Sequence, residues 1–146
     1  MPLAKLDPTN VQYLVVHCSA SPPSVFVDAK VLTRWHRERG FTTVGYHKII
    51  RRDGVVEDGR SLDEVGAHVE GYNSKSVGIC LAGGVDAKNV PTDNFTSVQK
   101  QSLIALLMGL LVAFPNATVL GHRDIPGVKK ACPSFDVKPW WAVVNQ

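Results

Sequence analysis

Cysteine is scarce here and odd in number, with three in 146 residues. A secreted disulfide scaffold carries cysteines densely and in pairs, so that class is excluded and the thiols suit a reducing compartment. No apolar run approaches the roughly 18 residues that a membrane span needs. Residues 1–12 alternate polar and apolar side chains without the continuous hydrophobic stretch of a secretory signal. Blocks of like charge are absent as well: 16 Lys and Arg face 13 Asp and Glu, for a net charge of +3. That leaves no nucleic-acid-binding tail, and the mild excess suits an anionic surface better than a specific nucleic-acid site. With 45% hydrophobic and 20% charged residues, disorder is excluded too. A chain of this length makes one domain and buries about 68–70% of its unfolded surface.

What is there alternates between two periodicities. Tyr13-Leu14-Val15-Val16 reads as a strand ending at His17, stopped by Ser19 to Pro23. Asp28 can cap a helix carrying Val31, Leu32 and Trp35, closed by Gly40. Asp53-Gly54 between Tyr46–Arg51 and Val55–Glu57 is a hairpin signal. Ser76 to Ala82 is a further strand, ending in Gly83-Gly84. Thr96-Ser97-Val98-Gln99 reads as a capping box. It opens a long helix whose Leu103, Leu106, Leu107, Leu110, Leu111 and Phe114 form one core-facing stripe, ended by Pro115. Thr118 to Leu120 is a short strand, and Lys138 to Val144 a terminal helix. The expected fold is α/β: a single domain over 1–146, residues 1–12 an N-terminal extension, with a central mixed β-sheet flanked by helices.

Two histidines share one placement, His17 at the end of the first strand and His122 just after the last. Carboxyl ends of strands are where α/β sheets gather their sites. Cys132 lies ten residues beyond His122. Two histidines and a cysteine are good zinc ligands, and three protein ligands with an open fourth position is the catalytic pattern. On spacing alone a second reading stands beside it: a buried, hydrogen-bonded His17, a surface His122 and an inert thiol. Cys18 points to the opposite strand face from His17, and Cys80 lies inside an apolar strand. Both are expected to be bystanders, with the three thiols kept apart. His36 and His47 are expected to be structural.

The segments Val16-His17-Cys18-Ser19-Ala20, Val44-Gly45-Tyr46-His47, Gly71-Tyr72-Asn73 through Val77-Gly78-Ile79-Cys80-Leu81, and His122-Arg123-Asp124 to Lys130-Ala131-Cys132-Pro133-Ser134-Phe135-Asp136 resemble one family. They are similar to the type-2 N-acetylmuramoyl-L-alanine amidases, most of all to their T-odd coliphage branch of lysozymes (endolysins). Peptidoglycan-recognition proteins are similar in the same segments. The resemblance runs in order from about Tyr13 to Trp141. It implies one Zn2+ per chain on His17, His122 and Cys132, and catalytic roles for Tyr46 and Lys130. One departure is Ser134, where many members carry Gly, although the phage branch has Ser there too.

The implied activity is hydrolysis of the amide bond between N-acetylmuramic acid and L-alanine in peptidoglycan. Zinc would acidify the attacking water and act as a Lewis acid. With no H-E-x-x-H glutamate in the chain, Tyr46 is the candidate to orient or deprotonate that water. Lys130 is the candidate to hold the developing oxyanion; the competing readings are a sheet-edge tyrosine and an ordinary loop lysine. The resemblance suggests that His68 lies in the substrate groove, a solvated loop histidine being the other reading. Asn73 is expected to contact peptide or glycan, with surface-loop duty as its alternative. A phage endolysin of this kind would accumulate in the host cytoplasm and reach the wall once the membrane is permeabilised. It would act as a monomer, touching neither membrane nor nucleic acid, and the phage branch also binds and inhibits its phage's RNA polymerase. A cytoplasmic muropeptide-recycling amidase and a non-catalytic peptidoglycan-binding module are the alternatives.

Overall fold

Leu14, Val15 and Val16 are all fully buried, which only a central strand with both faces covered permits. They belong to β1 (Tyr13–Cys18), in a computed structural model that describes residues 3–146. The chain continues through α1 (Ala29–Glu38), β2 (Lys48–Ile50), β3 (Val56–Asp58), β4 (Ser76–Leu81), α2 (Ser97–Ala113), β5 (Thr118–Gly121) and α3 (Val137–Val144). The strands make one sheet in the order β3-β2-β4-β1-β5. Only β2 and β3 pair antiparallel; β1–β4, β1–β5 and β2–β4 are parallel. The mixed sheet with helices on both faces is the expected α/β architecture.

Local chemistry explains the element ends. The Asp28 carboxylate accepts the Val31 amide at the start of α1, as an N-cap should. Gly54 turns the β2–β3 hairpin at φ +86, and the Asp53 carboxylate accepts the Val55 amide. Thr96 and Gln99 form the reciprocal capping box of α2. Helix α2 lays Leu103, Leu107, Leu110 and Phe114 on one sheet face, against Leu14, Val16, Val77, Ile79 and Leu81. The opposite face packs Leu32 of α1 with Ile49, Cys80 and Val44, and Val15 with Val69, Leu120 and Ile125. No helix among the described residues is long and apolar enough to cross a membrane.

The strand alternation decides what the second face carries. His17 and Val15 of β1 share it with Ser76, Gly78 and Cys80 of β4, since the register pairs Tyr13 with Ser76, Val15 with Gly78 and His17 with Cys80. That face is polar at one end and has a gap at Gly78, which the site below fills.

Candidate metal centre

Parallel pairing of β1 with β5 matches Val16 to Gly121, so the next residues in each chain, His17 and His122, emerge side by side. Their ring centroids are 4.5 Å apart. The loop after β5 folds back over these strand ends. Arg123 donates its amide to the Cys132 carbonyl at 2.9 Å and pairs its guanidinium with Asp136 at 2.6 Å. Cys132 Sγ thereby comes within 3.2 Å of the Cys18 amide, which donates to it. Ligand atoms of His17, His122 and Cys132 all lie within 4.8 Å of one another. The donor set fits one zinc with an open position.

Tyr46 and Lys130 complete this group. Both line a cavity of about 210 Å³ together with His17, His122 and Cys132. The cavity adjoins a groove of about 790 Å³, whose lining includes Arg39, Phe41 and Gly127 to Lys130. Tyr46 precedes β2 instead of lying in it, because the surrounding backbone is tied elsewhere: His36 Nδ1 accepts the Gly45 amide, and the Tyr46 carbonyl accepts the Arg60 amide. Its ring centroid is 5.0 Å from that of His17.

Burial sets the charge states. It pushes His17 well below the usual histidine range, helped by the neighbouring His68, His122 and Lys130. His122 is lowered by burial and then by Lys130. Both imidazoles are therefore neutral at pH 7, as metal ligation requires. Burial, then the neighbouring thiols, raises the Tyr46 phenol well above its ordinary value, so it keeps its proton. The adjacent Cys18 and burial push the Cys132 thiol up, while the Cys18 amide works the other way; that donor is suited to a ligating thiolate. Cys18 stays outside the ligand cluster, yet the returning loop brings Cys132 against it, within 3.2 Å of its backbone amide. Cys80 is fully buried, beside Tyr46.

His68 borders the groove, but both of its ring nitrogens are engaged inside the protein. Nδ1 is 2.8 Å from His17 Nε2 and Nε2 is 3.2 Å from Ser76 Oγ. Asn73 also borders the groove; its side-chain oxygen accepts the amides of His68 and Val69, each at 2.9 Å. His47 is structural as expected: fully buried, it meets the Glu64 carbonyl through Nε2 and accepts the Gly78 amide at Nδ1. Ser134 sits at φ +73, a left-handed conformation that explains why glycine suits the position. Its hydroxyl donates to the Gly84 carbonyl. Arg39, Phe41 and Ser76 escaped the sequence reading. Arg39 sits at the end of a basic last turn beside Gly40, where a cation needs no further role, and nothing in sequence places Ser76 near a histidine.

Fold and site together define an α/β enzyme whose polar side chains converge at the carboxyl edge of the sheet. The chain belongs to the N-acetylmuramoyl-L-alanine amidase family (Amidase_2), which it matches over residues 7–135, and it is an amidase. It is 52% identical to the endolysin of Klebsiella phage KP32 over 142 residues, 95% of this chain and 93% of the relative. With the endolysin of Escherichia phage T7 it shares 48% over 128 residues, 88% of this chain and 83% of the relative. Among solved structures, the endolysin LysCS of Clostridium intestinale superposes with a TM-score of 0.82 at 26% identity, covering 99% of this chain and 89% of that one. Drosophila PGRP-LB in its wild-type form shares the fold, with a TM-score of 0.78 at 24% identity over 97% of this chain and 84% of that one.

Proposed function

We propose that the chain is a zinc-dependent endolysin that hydrolyses the bond between the lactyl group of N-acetylmuramic acid and L-alanine. The observation that carries this is the convergence of His17, His122 and Cys132 within 4.8 Å beside an open groove, in a chain about half identical to phage endolysins. His17, His122 and Cys132 would hold the zinc, which would supply Lewis acidity and acidify a water toward neutrality. The remaining steps belong to the chain's own groups. Tyr46, protonated and half-buried, donates its O–H and fixes the orientation of the attacking water. The Lys130 ammonium stabilises the charge that collects on the lactyl carbonyl oxygen as its carbon gains the water oxygen. The C–N bond then breaks, and the alanine nitrogen leaves with the proton that the water gives up. Asn73 contributes by holding the loop of His68 at the groove edge.

Biologically, this reading makes the protein a monomeric lysis enzyme that accumulates in the host cytoplasm and meets the wall after the membrane opens. The resemblance of the sequence motifs to the phage branch also implies a second contact, with the phage RNA polymerase, that should need no metal. The test is digestion of purified peptidoglycan with metal analysis of the same preparation. The expected result is one zinc per chain, release of L-alanine amino termini without new reducing ends, and loss of both zinc and activity in Cys132→Ala. A folded wild-type protein that retains no zinc, or that binds intact sacculi and releases no amine, overturns it.

A further inference from the structure

The polar end of the second sheet face holds a hydrogen-bond chain with a definite direction. Ser76 Oγ lies 2.8 Å from the Tyr72 carbonyl oxygen. Two oxygens that close need a proton between them, and only the hydroxyl has one to give. The single Ser76 proton is thus spent on Tyr72, and Ser76 can only accept from His68 Nε2, 3.2 Å away. A neutral His68 with its proton on Nε2 has a bare Nδ1. That bare nitrogen, 2.8 Å from His17 Nε2, can only accept, so His17 carries its proton on Nε2 and leaves Nδ1 bare.

From this we infer that His68 and Ser76 are positioning residues that lock His17 into the one tautomer able to present Nδ1 to the metal, with the direction of the relay set by the Tyr72 carbonyl. The inference rests on the zinc reading above, but its first half concerns the protein without metal. Metal-bound histidines commonly donate their second N–H to a partner that fixes tautomer and ring orientation. Here that partner is a second histidine. It is held by Asn73 through its backbone and packed flat on Gly78, where an added Cβ would stand 2.7 Å from the ring. The arrangement also explains why His68 borders the groove with no nitrogen free for substrate.

Two measurements test it. In metal-free protein at neutral pH, long-range 1H–15N correlation spectra should show His17 and His68 both protonated at Nε2. A spectrum with His17 protonated at Nδ1 overturns the proposal. Chelator competition should show zinc bound roughly 10–100-fold more weakly in His68→Ala, with much of the loss recovered in His68→Asn, whose side-chain oxygen takes the place of Nδ1. Ser76→Ala removes only the far anchor and should leave His68 as a mixture of tautomers, with a smaller loss of zinc affinity. Native-like zinc affinity in folded His68→Ala, or an unmixed His68 tautomer in Ser76→Ala, refutes the relay. A wild-type protein that binds no zinc defeats the zinc reading itself, whereas the His17 tautomer is judged on the spectrum alone.

Discussion

Gly78 is the floor on which His68 rests, and substituting it with alanine probes fold and site together. An alanine Cβ there would lie 2.7 Å from both Cγ and Nδ1 of His68 and 2.9 Å from Cδ2. Three ring atoms at once means that the clash is with the flat face, not with a tip that can swing aside. Ordinary contact begins near 3.4 Å, so the ring must retreat by at least about 0.7 Å. It has little room: a Cβ on Gly66 would already stand 2.7 Å from Cδ2 on another side, and the His47 ring is 5.8 Å away. A displacement of that size carries the 2.8 Å contact with His17 to the edge of hydrogen-bonding range.

Overpacking a well-filled interior costs about 1–3 kcal/mol and a lost hydrogen bond about 0.5–1.5 kcal/mol. Gly78→Ala should therefore destabilise by roughly 2–4 kcal/mol, less a few tenths returned by the reduced entropy of the unfolded chain. With a urea slope of about 1–3 kcal/mol/M, the unfolding midpoint falls by an easily measured ~0.5 M or more. Zinc affinity should fall with it. Gly109 on α2 is the control, because an added Cβ there meets nothing within 4 Å; Gly109→Ala should stabilise by about 0.5–1 kcal/mol through helix propensity. Equal urea midpoints for wild type and Gly78→Ala, with unchanged zinc affinity, would refute the view that His68 is wedged between Gly78 and His17.

Further expectations concern groups outside the His17, His122 and Cys132 cluster. Gln99 is fully buried; its amide donates to the Ile50 and Ala82 carbonyls and its oxygen accepts the Thr96 amide, so Gln99→Leu should cost about 2–4 kcal/mol in urea unfolding and Gln99→Glu at least as much. His36 is lowered to about 4, by burial first and then by Arg39 and Arg60, and its neutral Nδ1 accepts the Gly45 amide. Because its folded pKa lies below the unfolded value near 6.5, its stabilisation is complete above pH 6.5 and is lost as the pH falls toward 4, on the order of 3 kcal/mol in all. His36→Asn, which keeps an acceptor but cannot titrate, should flatten the dependence of urea midpoint on pH across that window by about one proton. Arg39, Lys129 and Lys130 outnumber Glu70 around the groove, so for an anionic peptidoglycan fragment Arg39→Ala should raise KM several-fold and weaken its salt dependence, with kcat little changed.

Much of this molecule was legible along the chain because the deciding interactions are local. The leucine stripe of α2, the Asp28 cap, the Thr96–Gln99 box and the Asp53-Gly54 turn each rest on residues within a few positions of one another. The clustering of His17, His122 and Cys132 was reachable from residue chemistry and family resemblance, since parallel strands place His17 and His122 at the same sheet edge. The sequence could not reveal which partners their other atoms take. His17 and His68 are 51 positions apart, and Cys18 and Cys132 are 114 apart; no periodicity reports contacts across such distances. Gln99 shows the same limit from the other side: the box that caps α2 was readable, but its reach to the ends of β2 and β4 depends on the tertiary docking of the helix.

The N-terminal segment carries this point into function. Val65 donates its amide to the Ala4 carbonyl, and Leu6 donates to the Asp63 carbonyl, each at 2.8 Å, while the Leu6 side chain is buried in the main core. The loop so held presents the Glu64 carbonyl to His47 Nε2, His47 Nδ1 accepts the Gly78 amide, and Gly78 underlies His68. Residues 3–6 are thereby connected to the metal site by hydrogen bonds and packing alone. Deleting them would remove the burial of Leu6, about 1.5–3 kcal/mol, and loosen the strand segment that orients His17. A tail deletion that abolishes polymerase binding would therefore confound a lost contact with a disturbed fold. The exposed Lys5, whose side chain forms an exposed ion pair with Asp63, is the cleaner probe, because Lys5→Glu should leave the unfolding free energy within about 0.5 kcal/mol of wild type. If polymerase affinity falls in Lys5→Glu while amide hydrolysis persists, the tail makes the contact itself; if both fall together with stability, it acts through the fold.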